Sequence, residues 1–63
     1  MKVKDLKLDK RRNKEIWIME YNRDGTIDTR NYSVNNIPIN ELNRVVMDVY
    51  DNDEENYIEI YVI

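Results

Sequence analysis

A small α+β domain is predicted: a three-stranded antiparallel sheet of order 2-1-3, with one helix on one face, in the chain order β-β-α-β. Three observations predict it. A β-branched and aromatic run, Ile16-Trp17-Ile18-Met19-Glu20-Tyr21, stands just before the only glycine of the chain, Gly25. Leu42, Val45, Val46, Val49 and Tyr50 recur at i, i+3, i+4, i+7 and i+8, the spacing of one helix face. Tyr57-Ile58-Glu59-Ile60-Tyr61-Val62-Ile63 alternates like a strand.

Each element has its own signal. Residues 1–13 form a basic arm, in which Val3, Leu6 and Leu8 offer either a short extra strand or a mobile segment. Residues 15–63 form the domain. The first strand is apolar on both sides, as a central strand should be. Asn22-Arg23-Asp24-Gly25 suits a type I turn ending on a left-handed glycine, with a two-residue Asp-Gly turn as a competing register. The second strand runs over 26–34. After the loop 35–40, Asn40 is the expected N-cap of a helix reaching about Asp51, with Glu41 in its first turn. An acidic linker, Asp51 to Asn56, leads to the last strand, predicted antiparallel to the first.

One helix covers one face of such a sheet. The other face is expected to expose Trp17, Met19, Tyr21, Tyr57 and Tyr61, with Ile63 beside them. An uncovered apolar patch of that kind marks an interface. A chain of 63 residues is at most one domain and buries only about 60% of its unfolded surface. Without cysteine or histidine it has no disulfide, thiolate zinc site or imidazole ligand to stabilise it, which leaves self-association or a partner. No run approaches the ~18 apolar residues of a membrane span, and the charged start lacks a signal-peptide core. The expected location is the cytoplasm.

Charge is unevenly laid out. Residues 2–14 carry seven Lys/Arg and two Asp; residues 15–63 carry three Arg against eleven Asp/Glu, a net charge of −8. Nucleophilic catalysis is excluded where it needs His or Cys to act or to activate. Asp53, Glu54 and Glu55 sit together, but nothing near them would tune a carboxyl for acid-base work. Residues 22–27 echo the middle of a calcium-binding loop, yet its twelfth position falls on Asn31, where a bidentate Glu is needed. No catalytic residue, metal site or cofactor is expected.

Two binding functions compete. An acidic surface beside apolar anchors competes for a protein whose natural ligand is DNA, and long-range attraction to that protein's basic cleft speeds association. Asp48, Asp51, Asp53, Glu54 and Glu55 would supply the phosphate-like charge. The alternative is a small nucleic-acid-binding accessory protein acting through Lys10, Arg11, Arg12 and Lys14. The acidic body opposes that alternative.

The Asp24-Gly25 hairpin, the helix expected from Asn40 to about Asp51 and the acidic, aliphatic last strand resemble the small uracil-DNA glycosylase inhibitors of Bacillus phages in layout. The resemblance implies a dimeric, DNA-imitating phage or mobile-element inhibitor of a host nucleic-acid-handling enzyme, acting in the bacterial cytoplasm. The Gly-free linker and the absence of Phe from the helix depart from that group.

An exposed aromatic face on so small a domain predicts a homodimer at micromolar concentration. Sedimentation equilibrium checks this. A pure monomer up to about a millimolar would limit self-association to ~4 kcal/mol and contradict it.

Overall fold

The computed structural model describes residues 1–9, 11 and 13–63. Among them are four strands, β1 (Glu15–Tyr21), β2 (Ile27–Ser33), β3 (Val46–Asn52) and β4 (Tyr57–Val62), one short α-helix, α1 (Ile39–Leu42), and a 3₁₀ turn at Val3–Asp5. The sheet has the order β2-β1-β4-β3 and is mixed. β1 pairs antiparallel with β2 and parallel with β4, and β4 pairs antiparallel with β3.

This corrects the predicted three-stranded antiparallel sheet of order 2-1-3. The stretch expected as a helix from Asn40 to Asp51 is mostly β3, and the β-β-α-β order that carried the resemblance is absent. Pro38, not Asn40, caps the four-residue helix, which stops at Asn43. The misleading signal has a physical source. A β-bulge lies between Val46 and Asp48, so Val46 opposes Val62 while Asp48 opposes Tyr61. The extra residue lets Val46 and Val49, three apart, lie on one face of a strand. Three-residue spacing of that kind is what a helix face shows. The valines themselves favour the strand, where branched side chains keep their rotamers, and β4 supplies a hydrogen-bonded partner.

Two hairpins flank the central pair. In the first, the Gly25 N–H donates to the Asn22 carbonyl at 3.1 Å, which is the four-residue turn and not the Asp-Gly register. Gly25 has φ 87° and Asp24 accepts from the Thr26 N–H and hydroxyl, so the turn is held locally. In the second, the acidic segment expected as a helix-to-strand linker is the turn between β3 and β4. It manages without glycine because Asn56 takes φ 58°, which asparagine tolerates. Asn52 braces it by accepting from the Glu55 N–H and donating to the Tyr57 hydroxyl.

The core lies on one face of the sheet. Ile16, Ile18, Ile58, Ile60 and Val62 are buried, and the paired positions Ile16–Ile58 and Ile18–Ile60 stand side by side. Their cover is an irregular strap. The chain from Val34 to Val45 crosses this face between the two edge strands, bringing buried Val34 and partly buried Ile37 and Leu42. The N-terminal segment adds buried Val3, with Leu6 and Leu8 packed beside it. Its backbone is tied down: Val3 N–H donates to the Arg44 carbonyl, and Val46 N–H to that of Met1. No helix of the described residues is long and apolar enough to cross a membrane.

Val3 is 1% exposed, so its side chain belongs to the core. Val3→Ala should cost about 2 kcal/mol, lowering the urea midpoint at unchanged m-value. Unfolding that is the same with and without the substitution would show that the Val3 side chain contributes nothing to the core.

Candidate binding face

Strand alternation decides which side chains face away from the core. With Ile16 and Ile18 buried, the odd-numbered residues of β1 point outward: Glu15, Trp17, Met19 and Tyr21. Register carries the same face to Tyr57, Glu59 and Tyr61 on β4 and to Asp48, Tyr50 and Asn52 on β3. Ile27, Thr29 and Asn31 complete it on β2.

The aromatic set Trp17, Met19, Tyr21, Tyr57 and Tyr61 is therefore gathered on one face. Trp17 meets Tyr57 with ring centroids 5.5 Å apart, and Tyr21 stacks on Tyr61 at 5.9 Å. Tyr50 meets Tyr61 edge-on at 5.7 Å. Met47, in the bulge, closes a shallow cavity of about 310 Å³ with Tyr21, Asp48, Tyr50, Glu59 and Tyr61. Tyr21 and Tyr50 remain more than half exposed, at 54% and 55%. Aromatic rings packed this way gain roughly 0.5–1.5 kcal/mol per pair beyond area burial and keep their faces in place. Trp17 is half-buried, and its Nε1 is shielded with no acceptor among the described residues.

The acidic candidates separate. Asp48 lies on this face, where it accepts from the Tyr50 hydroxyl at 3.0 Å and from the Val49 N–H at 2.9 Å. Asp51 faces the opposite way, opposed to Ile58, and Asp53 begins the β3–β4 turn. Both pair with the ammonium of Lys14, itself only 4% exposed. Hydrogen bonds to Asp51 and then Asp53 raise the pKa of Lys14. Glu54 and Glu55 are exposed in the same turn. Lys14 is thus engaged by carboxylates, and Arg11 contacts Asp9. Lys10 and Arg12 lie outside the described residues.

Tyr50, Met47 and Glu59 are site members that sequence reasoning missed. The first two fall within the expected helix, on the covered side of the sheet. The available signal was the pairing of two β-rich runs, 45–50 and 57–63, around a polar Asp-Asn-Asp-Glu-Glu-Asn turn. Glu59 was visible in the alternation of the last strand.

The covered face holds a second polar constellation. Glu41, 2% exposed, accepts two hydrogen bonds from one edge of the Arg30 guanidinium (Nε 2.6 Å, Nη2 3.1 Å) and a third from the Tyr32 hydroxyl at 3.1 Å. Glu20 joins Arg30 (3.1 Å) to Arg44 (2.6 Å), and Arg44 also donates to the Ile63 carbonyl. This network fastens α1 to β1 and β2. Its groups satisfy one another and leave no free nucleophile or base, and no cluster of metal-ligating side chains occurs among the described residues. Comparison with protein-family models, curated proteins and solved structures gives no match for this chain.

Removing one partner of a buried, bidentate pair leaves the other charge uncompensated. Arg30 stays about a third exposed, so the loss is moderated: Glu41→Gln should cost about 2 kcal/mol. Acid should weaken the same network. Arg44, then Arg30, hold the Glu20 carboxyl below its ordinary 4.5. Its contribution is complete above that value and is lost as pH falls through the lower folded value. Melting temperature measured against pH should therefore decline below about pH 4.5, and less steeply in Glu20→Gln.

Proposed function

We propose that this chain is a binding protein and not an enzyme: a small acidic inhibitor that docks the open face of its sheet on the basic surface of a nucleic-acid-handling protein. One observation carries the reading. The open face joins aromatic and thioether side chains to three carboxylates, Glu15, Asp48 and Glu59, and its strand positions hold no lysine or arginine among the described residues.

That composition suits a cationic partner. A phosphate backbone binds where cations gather, and here acids stand at the aromatic rings. A basic nucleic-acid cleft is attracted by the −8 of residues 15–63 over long range and meets rigid aromatic anchors at contact. The broad face of a body 36 × 24 × 17 Å across is of the order of the ~800 Å² per partner that a standard interface covers. Division of labour follows: Asp48 and Glu59 meet the partner directly, while Glu54 and Glu55 steer from the turn.

The test is capture from bacterial lysate with wild type and with a Tyr21→Ser/Tyr50→Ser variant, both residues being exposed enough to change without unfolding the sheet. A nucleic-acid-handling enzyme held by wild type, lost by the variant and inhibited in its own assay is the expected result. Association should slow as salt rises past the Debye regime. Wild type binding a DNA duplex near physiological salt, with no protein target lost by the variant, would overturn the proposal.

A further inference from the structure

The cavity at the β3 side of the open face has a composition more specific than an apolar patch. Three tyrosine rings form a corner. Tyr21 and Tyr61 lie nearly parallel, 23° apart in plane, and Tyr50 stands against Tyr61 at 85°. Met47 adds a polarisable thioether at the rim. Two carboxylates flank the rings, and each is tied to a ring: Tyr50 donates its hydroxyl to Asp48 Oδ2, and Tyr61 donates to Glu59 Oε2 at 3.2 Å. The Tyr50 and Tyr61 hydroxyl protons thus point at carboxylates, and the corner offers the cavity ring π-density, sulfur and anionic oxygen.

Resting on the binding role proposed above, we infer that this aromatic corner is a receptor for a single arginine side chain projecting from the partner's basic surface. Cations over tyrosine faces are held by the ring quadrupole, the more so when water is displaced. Among cations the flanking carboxylates select. A guanidinium stacks flat on a ring while its edge donates to carboxylates, which an ammonium does with poorer geometry. A quaternary ammonium has no donor and would leave Asp48 and Glu59 unmatched. The inner rings are too close for a group to slide between them, because 5.9 Å separates their centroids. The guanidinium therefore lies in the angle between Tyr61 and Tyr50, over the rings. The Asp48 hydrogen bond raises the pKa of Tyr50, and desolvation, followed by the nearby Glu59 carboxylate, raises that of Tyr61, so both hydroxyls keep their protons across the physiological range.

The probes are three glycine-spaced peptides that differ only in carrying arginine, lysine or trimethyllysine, titrated into the full chain. The Met47 methyl and the Tyr21, Tyr50 and Tyr61 ring resonances are followed by NMR. The arginine peptide should shift these signals and leave those of the covered face still. It should bind severalfold more tightly than lysine and more tightly still than trimethyllysine. Asp48→Asn/Glu59→Gln should weaken arginine binding by about tenfold, and Tyr50→Leu by a similar factor, with backbone spectra showing the fold intact. Equal affinity for the three peptides, or no shift at Met47, would overturn the arginine assignment. So would Met47 signals that move with protein concentration as a dimer forms, since the occupant is then a second copy. Failure of the broader reading looks different. If the arginine peptide binds but fails to compete with the captured enzyme, the arginine inference falls and the face still binds. If capture is indifferent to Tyr21→Ser/Tyr50→Ser, the proposed binding role falls, whatever the peptides do.

Discussion

The parallel pairing of β1 with β4 is the constraint on which the rest of the molecule depends. It sets Ile16 beside Ile58 and Ile18 beside Ile60, four buried isoleucines at the centre of the core. Two adjacent parallel strands cannot be joined by a tight turn, so everything between them must form a crossover. The chain uses the interval to build a strand on each flank, β2 beside β1 and β3 beside β4, and to lay Val34 to Val45 across the core. This register fixes which side chains of β1 and β4 share a face, and each hairpin extends that face outward from the central pair.

Covering that core without a full helix explains the unusual share of polar groups on the inner face. A strap of irregular chain leaves backbone and charged side chains near the sheet, and buried polar groups must be paired. Glu41 answers this with Arg30 and Tyr32, and Glu20 extends the chain of contacts to Arg44 and the Ile63 carbonyl. Lys14, likewise enclosed, is met by Asp51 and Asp53. Seven charged residues are thereby drawn into internal pairs on the covered face and its rim, away from the open aromatic face.

The open face is the complement of this arrangement. Because Arg30, Arg44 and Lys14 are engaged elsewhere, its rings stand beside Asp48 and Glu59 without a compensating cation among the described residues. Hydroxyl-to-carboxylate bonds orient both partners before any ligand arrives, which reduces the ordering cost of binding. The edge strands limit the face without closing it. A bulge in β3 and the pairing of Met1 to Val3 against Val45 and Val46 interrupt one edge, as proteins do to discourage strand-to-strand association.

Several features were determined by the sequence alone. Gly25 after Asn22-Arg23-Asp24 specified the first hairpin, because a left-handed residue closing that turn is most readily a glycine. Alternation marked Ile58, Ile60 and Val62 as one face and Tyr57, Glu59 and Tyr61 as the other, since side chains of a strand alternate with period two. The basic start and acidic remainder were likewise plain from residue types. Strand pairing was decided by tertiary structure. Nothing local distinguishes a parallel β4 from an antiparallel one, because both bury the same aliphatic stripe. The stretch from Val45 to Tyr50 satisfied a helical period only because a bulge, invisible without its partner strand, moves Val46 and Val49 to the same side. Burial of Val3, and the meeting of Tyr50 and Met47 with Tyr21 and Tyr61, also required the fold. Those contacts join residues far apart in sequence, and no periodicity within either segment encodes which other segment will lie beside it.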